Sequence, residues 1–308
     1  MIKDKKKSKQ LGEVFTPEFL INDMLDTLPN DVWYNPNLKW LDPCAGHGNF
    51  PIIIVERLMQ GLSEVISDDV DRYNHIIKNM LYMADIQADS CDIMREMYPE
   101  GNIYNVSFLG ENDLGMFDII IANPPYQTSN EGEVKTHPIW QKFVQNSFEH
   151  LVEGGYLCMV HPGGWRNVDG KFKDTQKLMV SKQMLYLEIH DTKDGLNTFG
   201  AGTTYDFYCI KNEPNDGCVT KIKCVDGTIE YADLSKMEFI PNGMFAEFEK
   251  LRAKGGEEKV EILYSRSAYG NDKLYMSKEQ TDEFIFLQFT ACFTKLCNFT
   301  IDCVTTWC

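Results

Sequence analysis

Residues 38–50 have the sequence LKWLDPCAGHGNF, and this stretch decides the fold. Its first part, Leu38 to Asp42, predicts a strand that ends in a carboxylate, and Gly46 and Gly48 indicate a tight turn after it. Pro51 then stands in the first turn of a predicted helix, where proline is well tolerated. A strand that passes through a glycine turn into a helix is the starting unit of an α/β fold.

Strand-like and helix-like segments alternate from this unit to about residue 210. Further strands are predicted at Met80 to Asp85, Ile103 to Phe108, Phe117 to Ala122, Tyr156 to Val160, Met184 to His190 and Thr204 to Ile210. Helices are predicted at Ala88 to Met97 and at Pro138 to Leu151, the second closed by Gly154 and Gly155. The alternation predicts a parallel sheet of about seven strands with helices on both faces.

The chain changes character after Lys211. Alternating residues around Asp226-Gly227 predict a hairpin, and a helix is expected near Met244 to Ala253. We therefore expect a small C-terminal α+β region over residues 212–308. Its last part, Phe284 to Cys308, is almost uncharged and without clear periodicity, which we interpret as an atypical, truncated or out-of-frame end.

Composition excludes several classes of protein. The net charge of −16 argues against nonspecific coating of nucleic acid, although it allows a local basic groove. Residues 1–10 contain five lysines and are expected to form a basic, flexible tail. No apolar run could span a bilayer, and no apolar stretch follows the basic N-terminus, so we expect a cytosolic protein that does not contact membranes.

The ten cysteines predict neither disulfides nor a zinc site. Six of them are scattered singly between Cys44 and Cys224, and the four near the end lack the paired spacing of zinc modules. The motif HExxH of zinc hydrolases and the motif GxSxG of serine hydrolases are both absent. We therefore expect chemistry that needs no metal ion and no covalent intermediate.

Two features indicate a nucleoside-bearing cofactor. Gly46 and Gly48 allow a ligand to approach the backbone closely, and Pro51 replaces the third glycine of a dinucleotide motif, which disfavours that class. Asp85 ends the second predicted strand, where a carboxylate can accept hydrogen bonds from ribose hydroxyls.

The apolar strand that ends at Ala122 runs directly into Asn123-Pro124-Pro125-Tyr126. The two prolines stiffen the backbone, so that the Asn123 amide oxygen and the Pro124 carbonyl become directed acceptors. Tyr126 adds an aromatic face for stacking. Two acceptors beside a ring suit a planar substrate that carries an amino group.

Together these motifs resemble the S-adenosylmethionine-dependent DNA methyltransferases that modify amino groups, in the adenine-specific branch whose cofactor motif precedes Asn-Pro-Pro-Tyr. The resemblance implies a Rossmann-like catalytic domain over residues 11–211 and a short, incomplete target-recognition region over residues 212–308. It implies methyl transfer from S-adenosylmethionine to the N6 amino group of a flipped-out adenine in double-stranded DNA. It also implies a restriction or specificity subunit as a further partner, in the cytosol of a prokaryote or of a viral or phage host.

The resemblance also assigns roles to individual residues. The expected cofactor-binding residues are Phe15, Thr16, Asp42, Pro43, Ala45, Gly46, Gly48, Asp85, Ser107 and Asn123. The expected catalytic residues are Asn123, Pro124, Pro125 and Tyr126. Tyr126 and Phe199 are expected to hold the target base between them. Ser107 stands where the family often has an acidic residue against the cofactor's adenine, which implies weaker cofactor binding.

Two other functions stay open. A methyltransferase with the same Asn-Pro-Pro-Tyr motif could modify a glutamine side chain of a protein or an amino group of an RNA base. Residues 12–17 favour DNA, because the relatives that modify proteins usually carry a helical N-terminal domain there. The other alternative is a catalytically impaired module that binds S-adenosylmethionine or a partner, suggested by Ser107 and the atypical end.

Overall fold

The computed structural model describes residues 15–128, 137–167 and 170–251. The strands are β1 (Trp40–Asp42), β2 (Leu81–Asp85), β3 (Asn102–Asn105), β4 (Phe117–Ala122), β5 (Gln127–Thr128), β6 (His137–Pro138), β7 (Leu151–Pro162), β8 (Lys182–His190), β9 (Tyr205–Pro214), β10 (Thr220–Lys223) and β11 (Ile229–Ala232). The helices are α1 (Glu18–Leu25), α2 (Asn49–Gly61), α3 (Asp69–His75), α4 (Ala88–Met97), α5 (Trp140–Glu149), α6 (Lys173–Val180), α7 (Thr192–Phe199) and α8 (Phe245–Leu251). The predicted basic tail and the atypical end lie outside the described residues.

The main sheet has the strand order β11-β10-β8-β9-β7-β4-β1-β2-β3 within the described ranges. The α/β prediction is confirmed, but the predicted count of about seven strands is wrong, since nine strands join. The two additional strands are those of the predicted hairpin around Asp226-Gly227. Its first strand pairs in parallel with β8, with Lys221 opposite Tyr186, so the hairpin extends the sheet.

Strand β9 runs antiparallel to both of its neighbours, β7 and β8, so the sheet is mixed. An antiparallel return needs no crossover to the opposite end of the sheet. The segment between β8 and β9 is short for this reason and holds only α7 and a glycine-containing turn. As a result Pro162, Tyr205 and His190 lie in register on three adjacent strands.

Helix α5 confirms the predicted amphipathic helix but ends before the predicted boundary. Its buried side chains include Trp140, Phe143 and Val144. Gly154 and Gly155, predicted to close this helix, lie inside β7 instead. A Cβ atom at Gly155 would lie 2.7 Å from the Asp118 carbonyl oxygen, so close approach to that residue requires glycine there.

The parallel strands place three sequence motifs at one edge of the sheet. Strand β1 lies between β2 and β4 and is parallel to both. Asp42, Asp85 and Ala122 end these three strands, and Trp40 and Leu41 are fully buried behind that edge. Ligands of open α/β sheets bind beyond the carboxyl ends of the strands. The candidate site is therefore at this edge.

The described part of the chain divides into two compact units after Gly243. Helix α8 belongs to the second unit, and the nine-stranded sheet belongs to the first. The division at residue 211 that the sequence suggests stays a prediction. Among the described residues, none of the helices has the length and apolarity that a membrane crossing requires.

Candidate active site

The glycine turn begins at a deeply buried carboxylate. Asp42 is 1% exposed, and its Oδ1 accepts a hydrogen bond of 3.2 Å from the Cys44 N–H. Its Oδ2 has no hydrogen-bond partner within the ranges that the structure describes. Burial raises the pKa of Asp42 from 3.8 to about 8. An unsatisfied buried carboxyl oxygen is costly, and a ligand that donates a hydrogen bond or carries positive charge would relieve that cost.

Two backbone N–H groups of the turn donate hydrogen bonds to residues of β2. The Ala45 N–H donates to the Ala84 carbonyl at 3.0 Å, and the Gly46 N–H donates to Asp85 Oδ2 at 2.8 Å. Gly46 has a φ of +53°, and a side chain there would meet no atom within 4 Å. Open space beside a left-handed glycine leaves the backbone accessible to a ligand. Gly48, with a φ of +82°, directly precedes α2.

Asp85 joins two turns through its two carboxylate oxygens. Besides the bond from Gly46, its Oδ1 accepts a hydrogen bond of 2.8 Å from the Gln87 N–H. A carboxylate oxygen can accept more than one hydrogen bond, so a group of this kind can also serve as an acceptor for a ribose hydroxyl. The side chain predicted from the sequence as a ligand acceptor thus also fixes the local backbone.

Apolar side chains are unusually exposed around this turn. Phe15 is 63% exposed and lies with its ring perpendicular to that of His47, at 6.0 Å between centroids. Ile86, which follows Asp85 directly, is 64% exposed. Ile86 is not among the site residues predicted from the sequence, although an apolar residue just after a strand-end carboxylate is a signal that could have indicated it. Exposed apolar side chains near a polar turn are typical of ligand sites.

The remaining predicted cofactor residues lie at the same edge with different exposure. Pro43 and Ala45 are buried beneath the turn, and Ser107 is exposed in the loop after β3. Strand β3 neighbours β2, so Ser107 follows the strand next to the one that ends at Asp85. Of the N-terminal motif 12–17, residues 15–17 are described and the others lie outside the described ranges.

The Asn123 side chain is hydrogen-bonded to the N-terminal segment of the described chain. Its Nδ2 donates a hydrogen bond of 2.9 Å to the Thr16 hydroxyl. Thr16 is buried, and its carbonyl accepts from Asn49 Nδ2 at 3.4 Å at the start of α2. These contacts bring together the N-terminal motif, the glycine motif and the Asn-Pro-Pro-Tyr motif. They also orient the Asn123 amide, because its donor side faces Thr16.

The two predicted base-binding aromatics are in contact. The Tyr126 ring centroid lies 6.2 Å from that of Phe199, with the planes at 89°. Tyr126 is buried, and burial raises the pKa of its hydroxyl far above the ordinary value. A base cannot lie flat between perpendicular rings in contact, so stacking on Tyr126 requires the Phe199 ring to move. The base sandwich therefore stays a prediction.

Thr16 provides a test of how the Asn123 amide is oriented. For the methyl transfer that the sequence resemblance implies, we expect Thr16→Val to lower kcat by about tenfold, because one orienting hydrogen bond is lost. Thr16→Ser keeps the hydroxyl and should retain the parent's turnover. Steady-state kinetics of the two variants check this, and a Thr16→Val variant as fast as the parent would contradict it.

Asp42 provides a pH-dependent test of stability. Between its ordinary pKa of 3.8 and the folded-state value of about 8, the folded chain keeps a proton that the unfolded chain has lost. Ligand-free stability should therefore fall as the pH rises through this window. Asp42→Asn removes this loss and should be more stable than the parent by up to about 5 kcal/mol near pH 8.

Urea unfolding without ligand at about pH 5 and pH 8 measures the difference between the two proteins. Asp26→Asn, which changes an exposed carboxylate, serves as the control and should follow the parent. If the difference in free energy of unfolding between Asp42→Asn and the parent is the same at both pH values, then Asp42 is not protonated in the folded chain.

The described residues contain no group of three or more His, Cys, Asp or Glu side chains arranged to hold a metal ion. The geometry instead brings together a buried carboxylate, an accessible glycine turn, an oriented amide and an aromatic pair. Such a site can hold a nucleoside-bearing ligand next to an amino group.

Residues 53–199 match the model of the Eco57I restriction-modification methylase family. An uncharacterized adenine-specific methylase of Mycoplasma pneumoniae is 27% identical in an alignment 261 positions long. This alignment covers 58% of this chain and 58% of the relative. The modification methylase CviBIII of Paramecium bursaria Chlorella virus NC1A is 28% identical over 228 residues, 70% of this chain and 53% of the relative. The chain thus spans little more than half the length of these curated relatives.

Among solved structures, the M protein of the type I restriction enzyme EcoKI superimposes with a TM-score of 0.56 at 18% identity. The superposition covers 69% of this chain and 48% of that protein, and it shows a shared fold. The family match over residues 53–199 and the two curated relatives confirm the resemblance to adenine-specific methyltransferases of restriction-modification systems that the sequence motifs predict.

Proposed function

We propose that this chain transfers a methyl group from S-adenosylmethionine to the N6 amino group of an adenine flipped out of double-stranded DNA. The observation that carries the proposal is the Asn123 amide, oriented by Thr16 at the same sheet edge as the Asp42 to Asp85 turn. This arrangement supports the proposal, because acceptors for an amino group would then lie beside a site suited to a nucleoside-bearing cofactor.

The residues present fit S-adenosylmethionine. Among the residues that the structure describes, one buried oxygen of Asp42 has no hydrogen-bond partner, and a Cβ atom at Gly46 would meet no atom within 4 Å. The Asp85 carboxylate ends β2 beside this turn and is the type of group that accepts hydrogen bonds from ribose hydroxyls. Phe15 and Ile86 offer exposed apolar surface for the rest of the cofactor. When bound, S-adenosylmethionine supplies an electrophilic methyl group on a sulfonium.

The chain's own residues prepare the amino group. The lone pair of adenine N6 is delocalised into the ring, which makes this nitrogen a poor nucleophile. The Asn123 side-chain oxygen and the Pro124 carbonyl each accept a hydrogen bond from one of the two amino hydrogens. These bonds draw the nitrogen toward tetrahedral geometry, which localises its lone pair. Pro124 and Pro125 limit the backbone motion that would misplace these acceptors.

A target adenine has to leave the DNA helix before these acceptors can reach it. Tyr126 then provides the face on which the base stacks. The Phe199 ring, which is perpendicular to the Tyr126 ring in the structure, moves to the other side of the base. The catalytic domain spans residues 11–211 in this proposal, and target recognition begins after it. DNA is the substrate, a restriction or specificity subunit is a further partner, and the cytosol is the site of action.

A comparison of acceptors tests the proposal. The chain is incubated with S-adenosylmethionine labelled on the methyl group and, separately, with unmethylated duplex DNA, with RNA and with a protein extract. We expect label in the duplex DNA. Label confined to RNA or protein would contradict the proposed substrate, and cofactor binding without transfer to any acceptor would indicate a catalytically impaired module.

A further inference from the structure

The Phe199 ring contacts Tyr205 as well as Tyr126. The Phe199 and Tyr205 ring centroids are 4.9 Å apart, with the planes at 70°. The Tyr205 hydroxyl also lies 3.1 Å from the hydroxyl of Thr198, the residue before Phe199. Tyr205 therefore contacts the last turn of α7 at two points.

This aromatic cluster continues to His190, on which Tyr205 is stacked and which lies beside two carboxylates. Its ring lies parallel to the His190 ring at 4.2 Å, and the two residues are cross-strand partners on β9 and β8. His190 Nδ1 lies 3.2 Å from Asp194 Oδ2 in the first turn of α7, and its Nε2 lies 3.2 Å from Glu188 Oε1. His190 thus contacts the beginning of the helix whose end Tyr205 holds.

Glu188 is a buried carboxylate with further partners. The Tyr186 hydroxyl donates to its Oε2 at 2.7 Å, and Lys223 Nζ lies 2.8 Å from its Oε1. Burial alone would raise the pKa of Glu188, but its contacts with His190, Lys223 and Tyr186 hold that pKa below the ordinary value. The same carboxylate therefore lies against Tyr186, Lys223 and the Nε2 side of the His190 ring.

The position of α7 does not depend on this stack alone. The Asp191 side chain caps the helix by accepting from the Lys193 and Asp194 backbone N–H groups. A Cβ atom at Gly195 would lie 1.9 Å from the Thr203 carbonyl oxygen, so the following loop packs directly on the helix backbone. These contacts secure the helix backbone, and the Tyr205 ring contacts the Phe199 side chain directly.

We propose that His190 and Tyr205 are positioning residues for the target base: stacked on each other, they set the location of Phe199 beside Tyr126. The inference rests on the proposed function, because it takes Phe199 as one of the two aromatics that hold the base. It assigns a role in DNA substrate binding to residues outside both the Asn-Pro-Pro-Tyr motif and the glycine turn.

The test separates substrate binding from cofactor binding. Tyr205→Leu keeps apolar volume and removes both ring contacts. We expect it to raise the KM for unmethylated duplex DNA by about tenfold, the size of one lost oriented aromatic contact, with the affinity for S-adenosylmethionine unchanged. Tyr205→Phe keeps both rings and should restore most of the parent's KM.

Tyr34→Leu is the matched control, since it makes the same substitution at a tyrosine that is 54% exposed and outside the site. It should behave as the parent. Should Tyr205→Leu fail to fold, His190→Gln removes the stacked ring and keeps a polar side chain, and it should raise the same KM by several-fold.

If the parent is active and a folded Tyr205→Leu or His190→Gln variant has the parent's KM for DNA, this inference is overturned, while the proposed function stands. A variant whose affinity for S-adenosylmethionine falls in parallel with its KM for DNA would also overturn it, because the cluster would then act on the whole fold. A parent that leaves adenine unmethylated would overturn the proposed function, and the role of Phe199 with it.

Discussion

Asn123→Ala is expected to bind S-adenosylmethionine with nearly the affinity of the parent and to lose methyl transfer by at least about 100-fold, the usual size of removing one group that stabilises charge in a transition state. The loss follows because one of the two acceptors of the adenine amino group disappears. The cofactor turn, by contrast, keeps its contacts between Gly46 and Asp85. Calorimetric titration with the cofactor and single-turnover transfer to duplex DNA measure the two effects separately.

Asn123→Asp is the informative companion variant. It keeps an oxygen acceptor and the size of the side chain, but it loses the Nδ2 donor that faces Thr16. Its turnover should fall between those of Asn123→Ala and the parent. Transfer by Asn123→Ala at the parent's rate would mean that this amide does not act on the substrate.

Asp85→Ala is expected to weaken S-adenosylmethionine binding by about 100-fold, because a charged acceptor for the ribose and two bonds to backbone N–H groups are lost together. The two bonds come from Gly46 and Gln87. Asp85→Asn retains one acceptor oxygen and should weaken binding by about tenfold. Titration calorimetry of the cofactor measures both variants.

Asp92→Ala is the control for this series. Asp92 is exposed on α4, where it pairs with Arg95, and its loss should leave cofactor binding unchanged. If Asp85→Ala bound the cofactor as tightly as the parent, the cofactor would not lie at the ends of β1 and β2, and the assignment of the glycine turn would be wrong.

The fold was largely predictable because its central strands are encoded locally. The buried, apolar β4 and the helix α4 were predicted with the bounds that the structure has. The hairpin was also predicted, but not its parallel pairing with β8, since strand neighbours depend on contacts distant in sequence. The misassigned Gly154 and Gly155 show the same limit, because their role in β7 depends on the Asp118 backbone.

In the site, too, residues in local motifs could be predicted, whereas contacts between residues distant in sequence could not. The glycine turn, Asp85 and Asn123 could be selected from their places after predicted strands. The hydrogen bond between Asn123 and Thr16 could not, because it joins residues 107 positions apart. The stack of His190 on Tyr205 likewise follows from antiparallel register, which the pattern of either strand alone does not encode.

The most direct test of the central claim is the identity of the base that receives the methyl group. Unmethylated duplex DNA is incubated with the parent chain and S-adenosylmethionine labelled on the methyl group, then digested to nucleosides and separated by chromatography with mass detection. We expect label in N6-methyladenine with the parent and its loss with Asn123→Ala. Label in another nucleoside, or equal label in N6-methyladenine with both proteins, would contradict the central claim.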